Sequence, residues 1–398
     1  MTGTPGTTGT RLRLARQARG FSQLQLAGMA GVSRQAISAV ESGHSDPSLR
    51  VALSLALALG LTVEELFGPG DLAEPVPAVS VAPPSGPGVA SDRVILAAVG
   101  DQFIALPLRG DAAAARSFVP AGGLVVQAEP AGWPVAGLVE AGRPVADPAG
   151  KGSGAKDTIA VRPIGPPRPT LVVAGCDPAL PLLATPLGLL DPPVAFAWWP
   201  CGSQEALRLA AAGLVHAAGV HLRDSDGGYN AAAVGGLPGG AEVVGFTAWR
   251  EGFTIRPELA GTITGLDGIA KHQLRLVNRE PGAEARRLLD RERERLGLDA
   301  AELAGYDTRA GGHLQVASAV AAGLADAGVV SEPAARAYGL GFVPLADERF
   351  DLVLPGAHLG SREVQGLLKV LTSRWLLAQL ASLPGYEATA CGERVLKA

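Results

Sequence analysis

Residues 22–43, SQLQLAGMAGVSRQAISAVESG, decide the fold of the N-terminal part of this chain. They predict two short helices joined by a tight turn at Gly31-Val32, with Ser33 as the N-cap of the second helix. That second helix has an apolar face and a polar face, made by Ser33, Ala36, Ile37 and Val40 and by Arg34, Gln35, Ser38 and Ser42, respectively. Arg, Gln and Ser side chains can contact base edges or phosphates in a major groove. The stretch therefore predicts a helix-turn-helix that binds DNA.

Residues 11–67 resemble the XRE/Cro-type DNA-binding domain, an all-α bundle of five helices. The matching motifs are Ser22-Gln23, Ala27, Val32-Ser33-Arg34-Gln35, Ile37-Ser38, Glu41-Ser42-Gly43, Pro47-Ser48-Leu49, Leu59-Gly60 and Glu64-Glu65-Leu66-Phe67. The resemblance implies that six residues contact DNA, the last two near the backbone: Gln23, Arg34, Gln35, Ser38, Gly43 and His44. The alternative is an amphipathic hairpin that serves only for dimerisation or docking.

The charge of this domain is modest for a DNA-binding protein. Residues 1–67 contain six arginines and four acidic residues, and the whole chain has a net charge of −4. One such domain neutralises few phosphates, so its nonspecific affinity for DNA is expected to be low. Two copies that read two half-sites would compensate for this. A homodimer on a double-stranded DNA operator is therefore expected.

Length and composition suggest two or three domains in a cytoplasmic protein. The chain has 398 residues, of which 47% are hydrophobic, and three cysteines, Cys176, Cys201 and Cys391. We expect no secretion signal, no membrane-spanning segment and no disulfide framework. Residues 68–90, rich in Pro, Gly and Ala, predict a linker, and residues 91–165 predict a small β-rich module that acts as a spacer. Residues 150–157, GKGSGAKD, lack the order of a P-loop, which argues against nucleotide binding there.

From about Thr170 the chain alternates between predicted strands and helices, which indicates parallel sheets with helices on both faces. Ligands of such sheets bind at the carboxyl ends of strands, against helix N-termini. Three strand-to-helix junctions are candidates for this role: Cys176-Asp177-Pro178, Cys201-Gly202-Ser203, and Asn278-Arg279-Glu280-Pro281-Gly282, which leads to Arg286. Asp177 and Ser203 are also good N-caps, so a purely structural role stays open.

Residues 170–390 resemble the periplasmic-binding-protein-like domain that is fused to helix-turn-helix regulators and to some molybdopterin-biosynthesis proteins. The matching motifs are Gly175-Cys176-Asp177-Pro178, Gly202-Ser203, Ala218-Gly219-Val220-His221-Leu222, Tyr229-Asn230, Val277-Asn278-Arg279, Gly282, Arg286, Ala325-Asp326-Ala327-Gly328, Arg349-Phe350-Asp351-Leu352-Val353 and Leu383-Pro384-Gly385-Tyr386. The resemblance implies two α/β lobes of the type II class, joined by crossing strands near Val243–Ile255 and Phe350–Pro355. The ligand-binding residues that it implies are Cys176, Asp177, Cys201, Gly202, Ser203, His221, Asn230, Asn278, Arg279, Glu284, Arg286 and Asp326.

The identity of the ligand stays open at this point. Molybdate or tungstate is associated with such domains, where the typical sequence after Asn-Arg is Gly-Ser-Gly-Thr-Arg. Here residues 282–286 read Gly-Ala-Glu-Ala-Arg, so both hydroxyls are absent and Glu284 adds a like charge beside an oxyanion. An organic metabolite is therefore equally open, and Glu284 is as well suited to face solvent in the first helical turn.

The resemblances together predict a one-component transcriptional regulator that senses a small ligand, with no cofactor and no resident metal. One alternative is a thiol or metal sensor in which Cys176 and Cys201 act with His221 or His216, since a helix N-terminus lowers a thiol pKa. The other is an enzyme with an autoregulatory DNA-binding head. No G-x-S-x-G or H-E-x-x-H motif supports catalysis, so we expect that the chain is not an enzyme.

Overall fold

The computed structural model describes residues 12–13, 15–17, 19–67, 74–82, 93–108, 119–126, 158–224 and 227–397. The chain divides into two compact units, one made of residues 1–75 with 162–165 and the other of residues 76–161 with 166–398. In these described ranges, no helix combines the length and the apolar character needed to cross a membrane.

The first unit is helical, as the stretch at 22–43 predicts. After a helical segment within residues 12–17, its helices are α1 Gln23–Ala30, α2 Arg34–Glu41, α3 Leu49–Leu59 and α4 Val63–Phe67. Ser33 caps α2 by accepting a hydrogen bond from the Ala36 N–H at 3.1 Å. Gly31 ends α1 with φ 66°, a left-handed conformation that suits glycine and makes the tight turn. Leu26, Ile37 and Leu55 are fully buried and pack these helices together.

The second unit begins with a small closed barrel. Its strands are β1 Val76–Ser80, β2 Arg93–Val99, β3 Gln102–Pro107, β4 Gly123–Val125 and β5 Thr158–Pro163, in the order β1-β3-β2-β4-β5. The prediction that all of 68–90 is linker is wrong for β1, which pairs with β3 and β5. The Pro- and Ala-rich composition of this stretch does not predict a strand, and the strands that pair with β1 are distant in sequence. The stretch 150–157 lies outside the described residues.

The barrel packs directly on the large sheet of the same unit. Val99 and Ile104 share one apolar cluster with Val172 and Val220 of that sheet. The Gln102 side-chain amide also donates a hydrogen bond to the Gly213 carbonyl at 2.9 Å. The module is therefore an integral part of the second unit rather than a detached spacer.

The large sheet carries helices on both faces but mixes parallel and antiparallel strands. The strands are β6 Thr170–Gly175, β7 Ala195–Pro200, β8 Ala217–Val220, β9 Ala241–Ile255, β10 Leu276–Arg279, β11 Arg309–Ala310, β12 Ala327–Ser331, β13 Gly341–Pro355, β14 Tyr386–Glu387 and β15 Arg394–Lys397. The helices are α5 Ala184–Gly188, α6 Ser203–Ala211, α7 Ala231–Val234, α8 Leu266–Lys271, α9 Glu284–Leu296, α10 His313–Ala321, α11 Glu332–Ala337, α12 Arg362–Leu371 and α13 Arg374–Ala381. Short 3-10 helices lie at Leu180–Leu183, Pro257–Leu259, Ala300–Glu302 and Gly356–His358. The strand order is β11-β10-β12-β9-β13-β8-β6-β7, with β14 and β15 paired to β9.

Two long antiparallel strands, β9 and β13, connect the two halves of this sheet. They pair from Gly341 opposite Ile255 to Pro355 opposite Ala241. At one end β13 pairs with β8, in the half of the sheet that forms the first lobe. At the other end β9 pairs with β12, in the half that forms the second lobe. The predicted crossing at Val243–Ile255 matches β9. The predicted crossing at Phe350–Pro355 is too short, because β13 starts at Gly341 with a Pro-containing, partly exposed half that includes a bulge between Pro344 and Ala346.

Candidate functional site

Five of the six residues predicted to contact DNA have exposed side chains or backbone in the helix-turn-helix unit: Arg34, Gln35, Ser38, Gly43 and His44. The sixth, Gln23, is half-buried, and its amide nitrogen donates a hydrogen bond to Glu41 Oε2 at 2.9 Å. Part of the Gln23 side chain thus holds the domain together. The contacts of these residues with DNA stay a prediction.

A bidentate ion pair links the start of this unit to the end of α2. Arg16 Nε and Nη2 donate to Glu41 Oε1 and Oε2 at 2.6 and 3.0 Å, and both side chains are largely buried. Burial alone would raise the pKa of Glu41, but the hydrogen bonds from Arg16 and Gln23 outweigh it and lower the pKa. The pair therefore stabilises the domain at pH values above the ordinary glutamate pKa.

We expect Glu41→Gln to destabilise the helix-turn-helix unit by about 2 kcal/mol at pH 7, because the buried Arg16 charge loses its partner. Hydrogen exchange of the buried amides around Leu26 and Ile37 should then be about 30-fold faster than in the wild type. The difference should shrink as the pH falls through the lowered pKa of Glu41, since the native carboxyl is then protonated too. A difference that keeps its full size at pH values well below the ordinary glutamate pKa would contradict this account.

The C-terminal domain gathers a buried set of titratable side chains where its two lobes meet. Cys176 directly follows β6 and His221 closely follows β8 in the first lobe, whereas His313 begins α10 in the second. Glu251 and Glu348 come from the crossing strands β9 and β13. All five side chains are buried, with relative exposures between 0% and 6%. We call these five residues the interlobe cluster.

Strand register places the two carboxylates of the interlobe cluster on one face of the sheet. Glu251 pairs with Ala346 on β13 and with Ser331 on β12. Residues two positions apart on a strand share a face, so Glu348 is the diagonal neighbour of Glu251. Trp249, which pairs with Glu348, lies on that same face. The pairing of β9 with β13 therefore fixes the proximity of these carboxylates.

His221 lies at the centre of the interlobe cluster and contacts it through both ring nitrogens. Its Nε2 is 3.4 Å from Cys176 Sγ, and its Nδ1 is 3.5 Å from Glu348 Oε2. His313 Nδ1 accepts a hydrogen bond from the Ser331 N–H at 3.2 Å and lies 3.8 Å from Glu251 Oε1. Because Nδ1 of neutral His313 is an acceptor here, its Nε2 carries the proton.

Many polar atoms around the interlobe cluster are buried and have no hydrogen-bond partner within the part of the chain that the structure describes. They are both carboxylate oxygens of Glu251 and of Glu348, His221 Nδ1, His313 Nε2, Trp249 Nε1 and Ser331 Oγ. Buried polar groups in folded proteins are almost always hydrogen-bonded, because an unpaired group loses its hydration without compensation. So many in one place indicate a binding site.

The burial of the interlobe cluster shifts its pKa values strongly. Burial, assisted by the neighbouring Glu348 carboxylate, raises the pKa of Glu251 to about 7, although His221 and Arg279 act in the opposite direction. Burial would lower the pKa of His221, but Cys176 and the two carboxylates outweigh it and raise the pKa well above its ordinary value. Burial, with the charges of Arg279 and His221, lowers the pKa of His313 well below its ordinary value, consistent with a neutral ring.

Three predicted ligand-binding residues instead make internal hydrogen bonds that hold the first lobe together. Asp177 accepts bonds from the Thr247 and Tyr386 hydroxyls and from the Ala179 N–H. The Ser203 hydroxyl oxygen accepts the His221 N–H at 3.1 Å, which positions the backbone of that histidine. Asn230 accepts the Leu222 N–H and donates to Asp351 Oδ2, both at 2.8 Å. We assign these residues a positioning role.

The Asn278–Arg286 junction is likewise engaged within the protein. Asn278 donates to the Tyr306 carbonyl, and Arg286 donates to the Arg279 carbonyl, both at 3.1 Å. Arg279 is buried and makes a bidentate ion pair with Glu280 at 2.8 Å. Glu284 is buried rather than solvent-facing, and it pairs with Arg287 and Arg291.

Asp326 lies away from the interlobe cluster, so its role as a ligand stays a prediction, whereas the lowered pKa predicted for Cys201 is wrong. Asp326 precedes β12, at the amino end of the strand, and it pairs with Arg256 and Arg275, whereas the interlobe cluster lies near the carboxyl end at Ser331. The Cys201 thiol, expected to have a lowered pKa beside Gly202 at the N-terminus of α6, has one raised well above its ordinary value by burial and by nearby Glu205. Burial outweighs any effect of that helix terminus.

The sequence analysis missed Glu251, His313 and Glu348. A signal was present for the first, since Glu251 interrupts one face of the buried strand β9, and the other residues on that face are apolar or small. A charged residue at a buried position needs a partner, which makes it a candidate for a binding site. His313 and Glu348 have no such local signal. His313 comes close to Glu251 because it contacts Ser331 of β12, and Glu348 comes close because its strand β13 pairs with β9.

Comparisons with known proteins agree with this division of the chain. Residues 12–66 match the helix-turn-helix family and residues 187–372 match a family described as the PBP superfamily domain. The chain is 40% identical over 57 residues to the uncharacterized HTH-type transcriptional regulator MJ0272 of Methanocaldococcus jannaschii, covering 14% of this chain and 86% of that one. It is 30% identical over 181 residues to the uncharacterized protein YvgK of Bacillus subtilis, covering 45% of this chain and 58% of that protein's length. Among solved structures, the tungstate ABC transporter from Geobacter sulfurreducens matches with 13% identity and a TM-score of 0.41, covering 53% of this chain and 97% of that one.

Proposed function

We propose that this protein is a one-component transcriptional regulator. Its N-terminal domain belongs to the helix-turn-helix family, and its C-terminal domain matches the PBP superfamily. The N-terminal domain binds operator DNA, and a small ligand bound at the interlobe cluster changes that affinity. The combination of a DNA-binding and a binding-protein-like domain supports binding rather than catalysis.

The observation that carries this proposal is the set of unpartnered buried polar atoms at the junction of the two lobes. Both lobes and both crossing strands contribute to it, so a ligand bound there contacts all the parts that can move relative to one another. A ligand that prefers one arrangement of the lobes shifts the population toward it, and the shift is coupled to DNA binding.

The chemistry of the interlobe cluster bears on the choice of ligand. Two carboxylates repel an oxyanion in a low-dielectric site, so Glu251 and Glu348 weigh against molybdate and tungstate. A metal sensor that used Cys201 or His216 is disfavoured as well, since neither residue belongs to the described groups of side chains that could share one ion, whereas Cys176 and His221 share one such group with His313.

The test of this function is DNA affinity with and without ligand. Full-length protein is used to select an operator from a random duplex pool, and its affinity is then measured by fluorescence anisotropy with fractions of a cell extract, divalent metal salts, molybdate or tungstate added. We expect at least one addition to change the affinity by roughly 5- to 150-fold. A homodimer bound to the operator is expected by sedimentation. If no addition changes DNA affinity, or an added ligand is turned over rather than bound, the proposal is wrong.

A further inference from the structure

Glu251 and Glu348 present four buried carboxylate oxygens, and none of the four has a hydrogen-bond partner among the described residues. The nearby guanidinium groups do not neutralise them. Arg279 is paired with Glu280 at 2.8 Å, and Arg349 is paired with Asp351 at 2.9 Å. Two buried carboxylates strongly favour positive partners, and the His221 imidazole, 3.5 Å from Glu348, can offer at most one positive charge for the two, so a further cation would stabilise this pair.

We infer that Glu251, Glu348 and His221 form a binding site for one divalent transition-metal ion. This inference rests on the proposed function, because it names the ligand of the interlobe cluster. The three side chains offer ligand atoms that all lie within 4.8 Å of one another. Around a single ion with bonds of about 2.1 Å, ligand atoms lie about 3–4 Å apart. Only small side-chain movements are therefore needed to bind an ion.

The hydrogen bond between His221 and Cys176 suits His221 to this role. In the neutral tautomer that a metal ion would bind, Nε2–H is directed at Cys176 Sγ, 3.4 Å away, and the lone pair of Nδ1 faces the carboxylates. Metal-bound histidines usually donate their other ring N–H in this way, which fixes the orientation of the ring. Cys176 is thus a positioning residue. His313 is not a ligand in this site, because its Nδ1 lone pair already accepts the Ser331 N–H.

The donor set selects the class of ion. One imidazole nitrogen with carboxylate oxygens suits Mn²⁺, Fe²⁺ or Zn²⁺, whereas Mg²⁺ and Ca²⁺ prefer sites made of oxygen alone. A thiolate site for Cu⁺ is not formed, since the described groups that could share an ion contain no second cysteine. Mn²⁺ and Zn²⁺ are therefore the probes for the experiment.

The test uses full-length protein stripped of metal by EDTA and then dialysed. MnCl2 or ZnCl2 at about one hundred times its dissociation constant should raise the unfolding temperature of the C-terminal domain by roughly 5–10 °C. Loss of the free Mn²⁺ electron paramagnetic resonance signal should report one ion per chain. Glu251→Gln and Glu348→Gln should each abolish both effects, whereas the matched control Glu294→Gln, on the exposed face of α9, should retain them.

The glutamine variants remain informative about folding. Removing one charge relieves the repulsion between the buried carboxylates, so the unfolding temperature of the metal-free variants should be no lower than that of the metal-free wild type.

No shift with either ion, or variants that bind like the wild type, would overturn the metal site. If the metal binds at these residues but leaves operator affinity unchanged, the site stands and the proposed regulation fails. If an organic molecule or molybdate changes operator affinity while the metals do not, the regulator stands and the metal site fails.

Discussion

Gly252→Ala is expected to unfold the C-terminal domain at a temperature about 10 °C or more below the wild type, the largest stability effect that we anticipate in this chain. Gly252 follows Glu251 on β9 and lies opposite Pro344, beside the bulge of β13. A Cβ atom at this position would lie 2.1 Å from the Val343 carbonyl oxygen and 2.8 Å from Pro344 Cα. Both are backbone atoms of the neighbouring strand, so no side-chain rotation can relieve the clash.

The clash destabilises the pairing of β9 with β13, which positions Glu251 and Glu348. The variant should therefore also lose its response to ligand. Thermal unfolding of the full-length protein by differential scanning calorimetry measures the first effect. The control is Gly188→Ala at the end of α5, where a Cβ would have no neighbour within 4 Å. That variant should match the wild type to within about 2 °C, because alanine is at least as favourable as glycine in a helix. Equal unfolding temperatures for the two variants would contradict the close strand approach at Gly252.

Local sequence signals were sufficient for the DNA-binding domain because the caps and the turn of its helices depend on residues close in sequence. Ser33 and Gly31 mark the start and end of neighbouring helices, and each acts on residues within four positions. The strand β9 was predictable for a similar reason, since the apolar segments on both sides of Arg250 and Glu251 need no partner to be recognised. The strand β1 was missed because its stability comes from pairing with β3 and β5 rather than from its own Pro- and Ala-rich sequence.

The candidate site could be predicted only in part, because it depends on register between distant strands. Cys176 was found from its position after a predicted strand, and His221 was found from the resemblance to a periplasmic-binding-protein-like domain. Glu251 and Glu348 are diagonal neighbours only because β9 and β13 pair over their full length. The bulge in β13 that sets this register is not predicted by any sequence pattern. Polar residues such as Asp177 and Asn230 were interpreted as ligands because a sequence does not show that Thr247 and Asp351 already bond to them.

Replacing Arg34 and Gln35 together by alanine should reduce operator affinity by at least about 100-fold, the largest functional effect that we expect. Each well-placed contact from such side chains to a base is worth about 1–3 kcal/mol of discrimination. Both side chains are exposed at the start of α2 and contribute nothing to the domain core, so the unfolding temperature should stay within about 1 °C of the wild type. Fluorescence anisotropy with the selected operator measures the loss.

The matched control removes the same positive charge from an exposed helix of the C-terminal domain. Arg208→Ala on α6 breaks only a surface pair with Glu205, whose side chains are 60% and 41% exposed, so operator affinity should stay within about twofold of the wild type. The single variant Arg34→Ala, measured on operator and on random duplex, then separates base reading from phosphate contact. Loss on the operator alone indicates base reading, and equal loss on both, with a salt dependence reduced by about one ion, indicates phosphate contact. If the double variant binds the operator normally but no longer self-associates, the helical hairpin is a dimerisation unit and the α2 surface does not read DNA.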